Sequence, residues 1–250
     1  AVGLTERDDI VGACEHYLCA LEIMEPLVET SPLWRLMTKD KGLMANGERL
    51  KSQEKENAHS SKLEAQSPDY EKIRFIALIY TRLGRLFLNE NYCDLAITKY
   101  RKALKYVEII DEKPFKANVL KELGNSYQLA NTPDSALYYY NESLRYNSSL
   151  PNKLDVEKSI AKILFYQGDK DTAYAIINNN LDKMISYSFD GSYYLTLGEM
   201  YYEDQDYDNS IKYLYKSINS SNITPKVSTA IKLSAIYHSL DDPVNKSYYD

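Results

Sequence analysis

Apolar residues return along this chain in a helical register that repeats. In "YTRLGRLF", from Tyr80 to Phe87, the large residues Tyr80, Leu83 and Phe87 share one face of a helix. A polar break follows at Asn89, Glu90 and Asn91, and a second helix then carries Ala96, Tyr100 and Ala103 at i, i+4 and i+7. The arrangement returns as Leu123, Gly124 and Tyr127 followed by Ala136, Tyr140 and Ser143. It returns again as Leu197, Gly198 and Tyr201 followed by Ser210, Leu214 and Ser217. Between these lies a degenerate copy, Ile160, Ala161 and Leu164 followed by Ala173 and Ile177; an incomplete fifth begins at Leu233, Ser234 and Tyr237. The small-residue positions Gly84, Gly124, Ala161, Gly198 and Ser234 are 40, 37, 37 and 36 residues apart. Self-similarity at such a period is the mark of a repeat architecture.

Glycine inside a helix costs about 1 kcal/mol relative to alanine. Its return in phase at Gly84, Gly124 and Gly198 therefore predicts a packing notch. Together with Ala96, Ala136, Ala161 and Ala173, these small residues let the two helices of a hairpin approach while aromatics fill the space beside them. Polar turns separate the paired helices in "ANTPDSA", "QGDKDTA" and "EDQDYDNS", with Thr132 or Asp134 as the expected N-cap beside Pro133. Between hairpins, "DEKP", "NSSLP" and "SNITP" place a proline just before each following first helix.

The Leu-Gly, Tyr, Ala, Tyr, Ala pattern resembles the tetratricopeptide repeat, and the resemblance runs from Ala77 to the C-terminus. It implies an all-α fold, a right-handed superhelix of antiparallel helix hairpins, that is, a TPR-like α-solenoid. Residues 70–250 are read as an array of about four and a half repeats. Residues 1–69 are read as an N-terminal helical region with a partial repeat and a polar linker. There Ala13, Tyr17 and Ala20 carry the second-helix signature, Leu36, Leu43 and Leu50 suggest a further helix, and Lys51 to Asp69 is polar.

The same resemblance implies a concave groove lined by the first helix of each repeat. Its expected lining is Thr81, Arg85 and Asn89, then Lys121, Asn125 and Gln128, then Lys158, Lys162 and Phe165. Leu195, Glu199 and Tyr202 follow, with Ile231 and His238 last. Lys121 and Asn125 resemble the Lys-Asn pair of the carboxylate clamp in chaperone-binding members. The departures are Ser159 where that clamp has Asn, and Leu195 and Glu199 where it has cations. Arg85, Lys121, Lys158 and Lys162 would also suit an acidic peptide, with Glu199 and Glu203 closing the basic stretch; Phe165, Tyr166 and Tyr202 offer an aromatic alternative. The plainer reading is that these lysines are solvated helix faces.

Composition adjusts this picture in a few places. Of 250 residues, 24 are Tyr against 5 Phe and 1 Trp, so many large side chains have a polar tip suited to half-buried positions. The net charge of −6 argues against a general nucleic-acid binder. Cys14, Cys19 and Cys93 form no CxxC pair, and His16, His59 and His238 belong to no metal or nucleophile motif. Asp8/Asp9 and Asp241/Asp242 read as helix-end or turn residues. The expectation is a non-enzyme without cofactor or metal, binding a protein or peptide, with no stretch long and apolar enough to span a membrane. The Tyr- and Asn-rich text of "ALIYTRLGRLF" and "ALYYYNESLRYN" resembles TPR proteins common in Bacteroidetes, many of envelope type with a membrane helix and an output domain. That resemblance favours the cell envelope or periplasm over the cytoplasm. Two functions are compatible with it: an interaction scaffold, or the sensor portion of a regulatory protein whose output domain lies outside this chain.

Overall fold

Helices form where the apolar stripes place them. The computed structural model describes residues 2–29, 68–185, 190–220 and 224–239. Among these residues the chain forms ten helices and no strand. They are α1 (Val2–Glu29), α2 (Pro68–Asn89), α3 (Cys93–Ile110), α4 (Lys113–Leu129) and α5 (Pro133–Tyr146), then α6 (Leu150–Tyr166), α7 (Lys170–Ile185), α8 (Asp190–Glu203), α9 (Tyr207–Ile218) and α10 (Thr224–Ser239). Pairs α2/α3, α4/α5, α6/α7 and α8/α9 pack as hairpins, and α10 packs on α9 as the first helix of the next. The fold is a TPR-like α-solenoid of antiparallel helix hairpins.

The chain divides into two compact units, residues 1–147 and 148–250. In the first, α1 packs against α2 as the second helix of a preceding hairpin would. In both units the first helices of successive hairpins also touch each other: α2 and α4 in one, α6, α8 and α10 in the other. The helix suggested by Leu36, Leu43 and Leu50, and the polar stretch from Lys51 as far as Ser67, lie outside the described residues, as do His59 and Asp241/Asp242.

The repeated small and aromatic positions are the core. Leu83, Ala96, Tyr100, Ala103, Leu123, Ala136, Tyr140, Ala161, Ala173, Ile177, Leu197 and Leu214 are all fully buried. The glycine notch has a more specific occupant than a neighbouring backbone. A Cβ on Gly84 would lie 2.8 Å from the Tyr100 ring, one on Gly124 2.5 Å from the Tyr140 ring, and one on Gly198 2.6 Å from Leu214. Each glycine is thus a window through which a second-helix side chain crosses the first helix. Backbone approach is instead fastened by buried serines. Ser143 donates to the Ala117 carbonyl (2.7 Å), Ser210 to that of Gly198 (2.7 Å) and Ser217 to that of Gly191 (2.8 Å).

All four turns within hairpins share one geometry. Asn91, Asn131, Gly168 and Gln205 adopt positive φ, the left-handed conformation that ends a helix in the Schellman motif. In each, the next amide reaches back to a carbonyl five residues earlier, as Tyr92 does to Phe87 (2.8 Å) and Asp206 to Tyr201 (2.9 Å). Asp206 then caps α9 by accepting from the Asn209 amide. Thr132 occupies the N-cap position of α5, but its hydroxyl donates to the Tyr127 carbonyl and makes no cap bond. Pro114 and Pro151 sit within the first turns of α4 and α6, not before them, where their missing amide hydrogen is unneeded.

Tyrosine-rich packing has a titration consequence. Burial is the first cause that pushes the hydroxyls of Tyr80, Tyr100, Tyr106, Tyr174 and Tyr193 well above the ordinary value of 10.0. Hydrogen bonds to Glu25 add to it for Tyr80 and Tyr106, and one to Asp204 for Tyr174. A group whose folded pKa exceeds its unfolded value contributes stability that is intact below the unfolded value and is lost as pH rises toward the folded one. Unfolding midpoints should therefore fall steeply above about pH 10. Absorbance at alkaline pH should show a set of tyrosines ionising only with loss of helix. One simple phenol titration, with helicity retained, would contradict this.

Candidate functional site

Surface polar groups of the first helices are the candidate site, and each unit carries its own set. In unit 1, Arg85 follows Gly84 on α2 and its side chain is 58% exposed. It pairs at 3.5 Å with Glu122 on α4, 37 residues along the chain. The Glu122 carboxylate also accepts from the Asn125 amide (3.2 Å). Asn125 Oδ1 and Gln128 Oε1 lie 2.7 and 2.8 Å from the hydroxyl of Tyr140, whose ring has crossed Gly124 from α5. The notch thus delivers a second-helix hydroxyl to first-helix polar residues.

In unit 2, Lys162 follows Ala161 on α6 and pairs at 3.0 Å with Glu199 on α8, again 37 residues along. Lys158, one turn earlier, donates to Asp155 (3.0 Å) and Ser192 (3.2 Å) and lies over the Tyr193 ring. Tyr193 in turn donates to the Leu154 carbonyl. Tyr202 is half-buried between Tyr207 and Lys232.

Several residues expected on the groove lie elsewhere. Thr81 is buried and donates to the Ala77 carbonyl (2.8 Å). Phe165 is 4% exposed, packed edge-on against Tyr166 and Tyr174, and is a core residue rather than a contact surface. Phe165 is covered by α7 of its own hairpin, through Tyr174 and Lys170, whereas the position three residues before the notch residue faces the next first helix, as Lys158 does toward Ser192 and Tyr193. Lys158, at that position, is only 16% exposed. Asn89 is exposed at the end of α2, Lys121 and Gln128 are half-buried, and Ile231 and His238 are exposed on α10.

The charge pattern also differs from a plain basic strip. Arg85, Lys158 and Lys162 each stand beside a carboxylate: Glu122, Asp155 and Glu199. An anion seated between Lys121 and Asn125 would meet Glu122, whose side chain is 12% exposed and already bonded to Asn125. The sequence pattern does not mark Glu122 or the notch hydroxyls. For Lys162 the partner stands at the equivalent position of the next repeat, 37 residues on, which is a signal the sequence carries; Glu122 stands three residues before the equivalent of Arg85 and has no such signal.

Two surface depressions are lined by other residues. One is at the turn residues Asn91 to Leu95 beside Ala130; the other is between Met24 of α1 and Glu71 to Leu78 of α2. Among the described residues no group of His, Cys, Asp or Glu could hold a metal ion, and no helix is long and apolar enough to cross a membrane.

No protein-family model and no curated protein matches the chain. Solved structures do. A Rap protein complexed with Competence and Sporulation Factor superposes with a TM-score of 0.62 at 14% identity, over 97% of this chain and 74% of that one. BtubC (BKLC) from P. vanneervenii gives 0.56 at 15% identity over 88% of each chain, and the apo form of RapI gives 0.51 at 15%, over 96% and 74%. Likeness at this level of identity establishes the helical-repeat fold.

Proposed function

We propose that this chain is a protein-interaction scaffold that binds a peptide or a segment of a partner domain along the first-helix faces of its hairpins. The observation that carries this is a pair of ion pairs that each join one first helix to the next, Arg85–Glu122 in unit 1 and Lys162–Glu199 in unit 2. They hold partly exposed charges of both signs at set positions on neighbouring first helices. Fixed, alternating polar groups suit an extended ligand better than a compact small molecule, which needs an enclosing pocket. One structure of similar fold is complexed with a separate factor, which is in keeping with a binding role. The partner should carry acidic groups that compete with Glu122 and Glu199 for Arg85 and Lys162. It should also carry polar or basic groups to meet the displaced carboxylates.

An array of immobilised random peptides, probed with the full chain, tests this. Bound peptides should be released as salt rises, since screening shortens from about 30 Å at 0.01 M to about 8 Å at physiological ionic strength. Arg85→Gln and Lys162→Gln should each weaken binding by about threefold to tenfold, or roughly 1 kcal/mol, with the melting temperature little changed. No specific peptide binding, or affinity indifferent to salt and to both substitutions, would overturn the reading.

A further inference from the structure

Tyr100 and Tyr140 occupy the same place in successive hairpins of unit 1, each ring crossing a first-helix glycine. The hydroxyl of Tyr140 is served by carboxamides. Asn125 Oδ1 lies 2.7 Å away, and the same side chain's Nδ2 donates to Glu122 at 3.2 Å. One carboxamide therefore links the phenol to the carboxylate, accepting at one end and donating at the other. In the first hairpin the position after the glycine is Arg85, and the position of Gln128 is taken by Leu88. No carboxamide is there. Tyr100 is fully buried, and its hydroxyl is the one buried side-chain polar atom among the described residues with no hydrogen-bond partner. Its charged neighbours are Glu122 and Arg85; the guanidinium can only donate toward the phenol oxygen, so the phenol proton has no acceptor in bonding geometry. A buried hydroxyl left unpaired is destabilising, so a ligand that pairs it recovers that loss.

We propose that unit 1 holds a seat for an amide group of a bound peptide. Its oxygen accepts from the Tyr100 hydroxyl and the Arg85 guanidinium, and its N–H donates to the Glu122 carboxylate. The ligand amide would do for Tyr100 what the Asn125 side chain does for Tyr140. Both carboxylate oxygens of Glu122 carry lone pairs beyond the bonds to Arg85 and Asn125. Arg85 is the movable cover: it is more than half exposed and held by a long ion pair of 3.5 Å, so it can turn outward and keep a donor on the ligand oxygen. The seat rests on the peptide-scaffold reading above and names the chemical group that reading leaves open.

The test uses the full chain and three pools of N-acetylated, C-amidated pentapeptides, degenerate except for a central Gln, Leu or Glu. Affinity is read by titration calorimetry, and Tyr100 by the resonance of its carbon-13-labelled ζ position. In the free protein, Tyr100→Phe should leave the melting temperature unchanged or raised, whereas Tyr140→Phe should lower it. On binding, the Tyr100 resonance should shift, and Tyr100→Phe should weaken affinity by about tenfold. Preference for the Gln pool assigns the seat to a side-chain amide; equal, equally weakened Gln and Leu pools assign it to a backbone amide. Preference for the Glu pool overturns the amide in favour of a carboxylate. Binding that ignores Tyr100→Phe removes the seat but keeps the scaffold, and absence of binding by every pool removes both. A loss of melting temperature in Tyr100→Phe as large as in Tyr140→Phe would show the hydroxyl already paired.

Discussion

Gly124→Ala should destabilise the protein while Gly12→Ala stabilises it, although both glycines lie inside helices. Alanine is favoured over glycine in a helix by about 1 kcal/mol. At Gly12 nothing lies within 4 Å of the added Cβ, so that preference should appear nearly whole. At Gly124 the Cβ would stand 2.5 Å from two atoms of the Tyr140 ring. That ring is fully buried and its hydroxyl is tied to Asn125 and Gln128, so it has nowhere to swing. Overpacking of this kind costs about 1–3 kcal/mol or more, and leucine at the same site should cost more than alanine. Tyr140→Ala alone should cost roughly 3–5 kcal/mol through the cavity it leaves. In that background Gly124→Ala should become neutral or stabilising, because the clash is gone. Urea unfolding of the four forms measures this cycle. A Gly124→Ala effect that is the same with and without the Tyr140 ring would remove the window interpretation.

Glu25→Ala should cost roughly 2–4 kcal/mol, a large effect for one residue of a terminal helix. The Glu25 carboxylate accepts from Tyr80 (2.6 Å) and Tyr106 (2.7 Å), whose rings stack at 5.9 Å and are each 2% exposed. Removing it leaves two buried hydroxyls without their acceptor. Lys102 still donates to Tyr80 at 3.1 Å, but nothing in that contact takes the phenol proton. Since α1 is joined to the hairpins through Leu21 and Val28 as well, the loss should appear first as faster amide exchange along α1. A variant with an unchanged urea midpoint and unchanged α1 exchange would contradict the structural role of Glu25.

How much of this was legible in the sequence follows from what a one-dimensional period can carry. The in-phase run from Leu83 and Gly84 through Tyr100 to Ala103 is a local property of two helices, and it marks the hairpins and their buried positions. It also marks the notch, but not its occupant. That Tyr140 passes Gly124 to reach Asn125 depends on how two helices cross, and this has no signature in spacing alone. Counting from a single buried stripe places Phe165 outward, on the expected groove. The partner helix α7 reaches round to that position with Tyr174 and Lys170, so the buried face is wider than the one stripe. Arg85, Lys158 and Lys162 are legible as cations, but their pairing with Glu122, Asp155 and Glu199 is not. Glu122 and Glu199 lie on the next first helix, 37 residues away and beyond the window in which charge patterns are usually read.

The reading of the first-helix faces as the binding surface is tested most directly by mapping where a peptide sits. Backbone amide resonances of the full, isotope-labelled chain would be followed while the Gln-centred pentapeptide pool is added. The expected result is perturbation concentrated on the first helices within a unit: α2 and α4 at Arg85, Lys121, Asn125 and their neighbours in unit 1, with any site of unit 2 mapping separately to α6 and α8 at Lys162 and Glu199. Perturbation confined to the second helices α3, α5, α7 and α9, or to the turn depression around Tyr92 and Leu95, would contradict it.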